Sequence, residues 1–176
     1  MSPDEVLAEN VETIREYGFM VQGVVNPPGE GAQLVEWAYT IGLLDAADHP
    51  ELVVVGPGFE RSGPLLQSMG RCVLEGHSCV AGDCITLGDD LLRVGPVHDV
   101  QQGLTTFNVW HEMAAIGVLE CEDLEVLQVF VPTSWFCQGH RHAQPDLSLP
   151  HTRIDAPIHV PNRAARRAEE RRRGRH

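Results

Sequence analysis

Cys137-Gln138-Gly139-His140-Arg141-His142 is the densest run of metal-ligating side chains in the sequence. Cys137 and His140 stand at a C-x-x-H spacing, and His140 and His142 share one face of an extended chain. His77 and Cys79 repeat the alternate-residue spacing, with Cys84 nearby. These six residues carry the nitrogen and sulfur donors that zinc takes in fours, or in threes with a water. The paired C-x-x-C of a structural zinc site is absent, and the spacing from Cys72 to Cys79 to Cys84 fits no usual finger. The competing reading is buried thiols beside a solvated histidine loop. No cofactor is predicted, and zinc is kept as an alternative at these positions.

A second constellation lies in Tyr39-Thr40-Ile41-Gly42-Leu43 and His49-Pro50-Glu51. Alternation puts the Tyr39 and Thr40 hydroxyls on opposite faces of a strand that leaves its sheet at a glycine. His49 and Glu51, in the following loop, can converge on the same strand end. Polar groups gathered at one end of a sheet are what a small-molecule site needs. An ordinary strand exit, with Tyr39 packed and its hydroxyl satisfied at the rim, explains the same residues structurally.

Gly56-Pro57-Gly58, with Arg61 and Ser62 opening a helix, is a strand–loop–helix junction at which N–H groups and Arg61 can hold an anion. It is not a dinucleotide fingerprint, because Pro57 removes a donor and Arg61 stands at the third glycine position. A turn that needs glycine geometry is the simpler account. Gly76-His77-Ser78-Cys79-Val80 falls short of a nucleophile elbow, since it lacks the second glycine and follows a helix. A cysteine nucleophile with a histidine base is open, but no spacing selects the pair.

Composition excludes more than these motifs include. All 13 cations are arginine, so the chain has no lysine amine for a Schiff-base lysine or a Walker-type phosphate site. The net charge is −12, and residues 161–176 hold seven Arg against two Glu, a net +5 that leaves −17 on the preceding 160 residues. Phosphate is repelled by such a body, so any nucleic-acid binding is expected only through the arginine tail. The acidic Ser2-Pro3-Asp4-Glu5 start does not resemble a secretory leader, and no apolar run nears the roughly 18 residues of a membrane span. Five cysteines, an odd number, then read as reduced thiols, and the expected location is cytoplasmic, with no membrane partner.

Elements must position these residues. Ser2, Pro3 and Glu5 form a capping box that opens a helix with Leu7, Val11 and Ile14 on one stripe, ended by Gly18. Phe19–Val25 and Leu34–Ile41 alternate as two strands of a hairpin, with Val35, Trp37, Tyr39 and Ile41 on one face. Residues 42–50 read as a loop, and Leu52–Val55 as a buried strand. Ser62 or Gly63, followed by Pro64, opens a second helix through Leu66, Met69 and Val73 to Gly76, weakened by Gly70. Two or three strands follow between Ser78 and Asp99, then a short helix in Thr106–Gly117 and a strand in Leu124–Val131. After Pro132 regular structure is not expected. The pattern is α+β: a mixed, largely antiparallel sheet packed on two or three helices, in one domain over 1–160, with a basic tail over 161–176.

Three stretches taken together, Trp37-Ala38-Tyr39-Thr40-Ile41-Gly42-Leu43, His49-Pro50-Glu51-Leu52-Val53-Val54-Val55-Gly56 and Val73-Leu74-Glu75-Gly76, resemble a bacterial family catalogued as domain of unknown function 4262. Leu127-Gln128-Val129 is similar to its later strand, and the likeness runs from about residue 3 to 132. Beyond it, where the family pattern enters a polar, acidic turn, this chain has Pro132-Thr133-Ser134-Trp135-Phe136-Cys137. The resemblance implies a compact α+β domain and no reaction.

The expected function is a binding or interaction module, with a small-molecule or protein site at the strand ends formed by Tyr39, Thr40, His49 and Glu51, and Arg61 as an anion contact. Two alternatives stand beside it. One is a small hydrolytic enzyme using cysteine and histidine from segments 77–84 and 137–142, with or without zinc. The other is nucleic-acid binding through the tail.

Overall fold

The computed structural model describes residues 3–26, 35–99, 105–136, 144–150, 152 and 154. Among the described residues six strands form one sheet: β1 (Met20–Asn26), β2 (Val35–Ile41), β3 (Glu51–Val55), β4 (Cys84–Leu87), β5 (Asp90–Pro96) and β6 (Val126–Phe130). Their spatial order is β1-β2-β3-β6-β5-β4. Every neighbouring pair is antiparallel except β3 and β6, which run parallel at the centre with Glu51 opposite Val126. A parallel pair needs a long crossover, and here everything from the third helix to the fourth supplies it. Both central strands are covered on two faces, which is why they read as apolar runs.

Among the described residues four α-helices accompany the sheet: α1 (Pro3–Tyr17), α2 (Leu43–Ala47), α3 (Phe59–Leu74) and α4 (Asn108–Ala115). Strand alternation divides the apolar side chains into two layers. Trp37, Tyr39, Ile41, Val53 and Val55 pack with Ile14 of α1 and with Trp110 and Met113 of α4. Ala38, Leu52, Val54, Leu127 and Val129 face the other way, toward Leu65, Leu66 and Val73 of α3. The hairpin register is that of the alternation, with Val24 opposite Trp37 and Gln22 opposite Tyr39.

Two local expectations change. Residues 42–50 are not all loop, because Leu43–Ala47 form α2. The helix expected from Ser62 or Gly63 begins at Phe59, with Pro64 inside its early turns. The Gly58 carbonyl takes the N–H groups of both Arg61 and Ser62, so the first turn is closed upstream of the proline. Of the two or three strands expected between Ser78 and Asp99 there are two, paired as an antiparallel hairpin. Ser2, the cap expected for α1, and the tail over 161–176 lie outside the described residues.

Gly70 explains why a weak helix former sits inside α3. A Cβ at that position would stand 2.3 Å from Cε2 of Phe19, so the glycine is the space the ring occupies. Phe19 is 1% exposed, locked between the start of β1 and α3. The lost helix propensity, about 1 kcal/mol, is set against burial of an aromatic ring worth about 2 kcal/mol.

Candidate functional site

Thr40 and Glu51 meet in the structure. Thr40 Oγ1 donates to Glu51 Oε2 at 2.6 Å and accepts the Leu52 N–H at 2.9 Å. Glu51 Oε1 accepts the N–H of Gly42 at 2.7 Å and that of Leu44 at 3.4 Å. The carboxyl therefore holds the open end of α2, a helix with no side-chain cap of its own. Gly42 is required at this corner twice over: its φ is +115°, and a Cβ would stand 2.7 Å from the Gly18 carbonyl oxygen. Thr40 and Glu51 are each 0% exposed. Burial pushes the Glu51 acid above the ordinary carboxylate range, and the hydrogen bonds from Thr40, Gly42 and Leu44 pull it part of the way back.

Tyr39 is equally enclosed. Its hydroxyl oxygen accepts the Val109 N–H at 3.2 Å, and its ring stands edge-on to Phe107 at 5.2 Å. Burial drives the phenol well above its usual value, so the group is a neutral bridge between β2 and the start of α4. His49 turns to another element. Its Nδ1 lies 2.7 Å from the Pro50 carbonyl and its Nε2 accepts the Cys79 N–H at 3.1 Å. An acceptor Nε2 places the ring proton on Nδ1, where it donates to Pro50. Asp45 secures α2 from its outer side by accepting the N–H groups of Glu120 and Cys121 at 2.6 and 2.9 Å.

The strand-end residues thus spend their polar groups inside the protein. Tyr39, Thr40, His49 and Glu51 line none of three clefts found on the described surface. One of these, about 830 Å³, is an open groove along α1 that includes Leu7, Glu12 and Ile116. The other two adjoin. A cleft of about 350 Å³ lies between α3 and the β4–β5 hairpin, with Leu65, Met69, Val73, Ile85 and Leu92 among its walls. His77, Ser78 and Cys79 close one end of it. A second, of about 440 Å³, continues past the start of α3 between Arg61, Pro64, Leu87 and Trp135, and the two share Leu65, Ser68 and Leu87.

The sheet geometry accounts for this trough. A helix about 10 Å wide covers two or three strands spaced about 4.8 Å apart. Here α3 lies on β1, β2 and β3. The same face of β5 and β4 extends beyond it, carrying Leu92 and Ile85 to the edge of the buried layer. Two polar bonds fix the far end: Arg61 Nη1 donates to the Ser134 carbonyl at 3.3 Å, and Trp135 Nε1 donates to Asp90 Oδ2 at 2.8 Å. The 3-10 turn Thr133–Trp135 is held between α3 and the hairpin by these contacts. Arg61, expected as an anion contact beside the Gly56-Pro57-Gly58 turn, stands on this rim.

Of the proposed zinc ligands, His77 and Cys79 lie at the trough and Cys84 is exposed on β4. Cys137, His140 and His142 lie outside the described residues. Among the described residues no three His, Cys, Asp or Glu side chains gather as a metal ion would need. The structure does bring one unforeseen pair together, Cys79 Sγ and His49 Nε2 at 3.5 Å. Burial, with the charge of Asp83 adding, pushes the Cys79 thiol up to about 11. No local spacing signals that pair, because its members are separated by β3 and α3. Among the described residues no helix is long and apolar enough to cross a membrane.

A family model described as a domain of unknown function (DUF4262) matches residues 13–135. That span contains the Thr40–Glu51 corner, α3, and the β4–β5 hairpin. No curated protein and no solved structure matches the chain.

Proposed function

The chain belongs to the DUF4262 family, a domain of unknown function, and from that premise we propose that it is a ligand-binding module whose site is the cleft between α3 and the β4–β5 hairpin. The observation that carries this reading is the cleft itself: about 350 Å³, walled by Leu65, Met69, Ile85 and Leu92, with His77 and Ser78 at one end. Apolar walls, a few polar groups at one end and a volume of roughly 300–1,000 Å³ are the usual attributes of small-molecule sites. The proposed site lies away from the strand ends, because Thr40 and Glu51 are fully buried and hydrogen-bonded to each other. Their role on this reading is to hold the α2 corner rigid.

A cysteine–histidine enzyme is the second reading, and the 3.5 Å contact between Cys79 and His49 favours it. A nucleophile and base at that separation, with the base oriented by a carbonyl, follow the logic of covalent catalysis. Two features weigh against it. His49 Nε2 already accepts the Cys79 N–H, and the thiol is pushed up to about 11, away from the thiolate.

The test is thermal stabilisation of the full chain across a panel of small apolar and amphipathic compounds. A ligand at one hundred times its Kd adds about 2.7 kcal/mol by mass action. Hits are expected, and Ser68→Trp, which fills the trough from an exposed position on α3, should abolish them. Hits that survive Ser68→Trp unchanged, or a blank panel, overturn the cleft as the site.

A further inference from the structure

We infer that the trough takes an anionic amphiphile, an aliphatic chain bearing a carboxylate or similar head group, with the chain along α3 and the head against Arg61. The inference rests on the cleft reading above and names its ligand class. The stripe Arg61, Leu65, Ser68, Met69, Cys72 follows the helical repeat along one side of α3, and each member lines one or both of the adjoining clefts. The neighbouring stripe, Ser62, Leu66 and Gly70, is buried against the sheet. From Arg61 to Cys72 the helix rises about 17 Å, which gives the trough the length of an extended alkyl chain rather than of a compact ring.

The charge at the Arg61 end selects the head group. Arg61 is the one arginine lining either of the two adjoining clefts among the described residues. Its bond to the Ser134 carbonyl aims the guanidinium across the rim and engages Nη1, while the guanidinium carries further N–H donors. Arg61 also lies in the first turn of α3, so the positive end of a 16-residue helix adds its field at the same place. Glu60 shares that rim. Its carboxyl group opposes an anion there, so the Arg61 guanidinium and the helix end have to outweigh it. A body carrying −17 keeps free anions away from most of its surface, so a cation at the mouth of an apolar trough acts as a local selector. Trp135, across the trough from α3, supplies an aromatic wall whose indole N–H is already bound to Asp90.

Three probes of equal chain length test this, all below their micellar concentrations: dodecanoate, dodecanol and dodecyltrimethylammonium. Binding to the full-length protein is followed by Trp135 fluorescence, with Trp135→Phe as the control for the other two tryptophans, and by calorimetry. Dodecanoate is expected to bind saturably and at least about tenfold more tightly than dodecanol, the value of one charge-assisted hydrogen bond. Arg61→Gln should remove that advantage while leaving dodecanol affinity unchanged, and Ser68→Trp should abolish both. Equal affinity for dodecanoate and dodecanol, an Arg61→Gln variant that weakens neither or both alike, or preference for the cationic probe overturns the anionic head and leaves the cleft standing. Binding of no probe overturns the amphiphile, and the broader compound panel then decides the cleft separately.

Discussion

The Thr40 hydroxyl lies 2.6 Å from a Glu51 carboxyl oxygen while accepting the Leu52 N–H, so a side chain occupies the place of a ladder carbonyl between β2 and β3. One residue thereby joins the sheet to the acid that caps α2. Removing the acid leaves the Thr40 hydroxyl and the Gly42 and Leu44 N–H groups without their acceptor. Glu51→Ala should therefore cost about 3 kcal/mol or more of unfolding free energy, from lost partners and a cavity together. Glu51→Gln can still accept the Gly42 N–H and turn its amide N–H toward Thr40, so its cost should be near 1 kcal/mol. Urea unfolding of the two variants checks this, and equal losses would contradict the hydrogen-bonding account.

The same acid sets a pH signature. Burial raises Glu51 above the ordinary carboxylate range in the folded chain, so the folded state holds its proton more tightly than the unfolded state does. Its contribution is fully present below the unfolded carboxylate value and is lost as pH rises through the folded one. In urea midpoints taken from acid to neutral pH, the margin of wild type over Glu51→Gln should shrink as pH rises. A margin that widens would mean that the three hydrogen bonds outweigh burial.

Asp45 works with the opposite sign. Burial raises its acid, but the Cys121 side chain and the Glu120 and Cys121 N–H groups outweigh that and hold it below the usual range. Its contribution is present above the unfolded carboxylate value and is lost as pH falls through the folded one. Asp45→Ala should loosen the 118–121 segment from α2, costing about 1 kcal/mol at neutral pH and less in acid. Faster amide hydrogen exchange at Glu120 and Cys121 is the local readout. The Cys121 thiol, held up to about 11 mainly by its bond to Asp45, should become more reactive in that variant.

What could be read from the sequence followed range of interaction. The alternation of Trp37, Tyr39 and Ile41 is a local property of an extended chain, and those three side chains share a layer as the period demands. The α2 helix was not legible, because Leu43–Ala47 is short, starts on a left-handed glycine and draws its cap from Glu51 across the following loop. The start of α3 differs from the sequence pattern because Pro64 resembles a first-turn proline, whereas closure comes from the Gly58 carbonyl. Tyr39, Thr40, His49 and Glu51 stand out in the sequence as polar residues near one strand end, but the sequence does not show which polar groups are consumed internally. The trough depends on strand order: β5 and β4 lie beyond β6, outside the cover of α3, an outcome of the parallel β3–β6 pairing that no local pattern encodes.

Gly70 offers a test in which helix propensity and packing oppose each other. Replacing glycine by alanine inside an exposed helix gains about 1 kcal/mol. Here the new methyl would enter the Phe19 ring, with Cζ at 2.5 Å and Cε2 closer still. Gly70→Ala should therefore destabilise the protein, by about 1–3 kcal/mol, as overpacking does. The double variant Phe19→Leu with Gly70→Ala should recover part of that loss, so the two changes should be markedly non-additive in a double-mutant cycle. Additive losses would show that the ring and the helix do not compete for this space.

Cysteine reactivity separates the two functional readings. Cys79 is 8% exposed, its thiol stands at about 11, and its histidine neighbour is engaged by backbone N–H and carbonyl groups on both ring nitrogens. Cys72 and Cys84 are exposed. A structural Cys79 should react with iodoacetamide near neutral pH at least about tenfold more slowly than either of these, since the thiolate is the nucleophile and burial denies it both charge and access. His49→Ala should then lower stability through the lost Cys79 N–H acceptor and leave Cys79 no less reactive, because local opening at residues 77–80 governs access. An activated pair behaves the other way: fast labelling in the wild type that falls on His49→Ala. Site-resolved mass spectrometry over a labelling time course distinguishes them, and the second pattern would move the function from binding at the α3 trough to covalent chemistry at its wall.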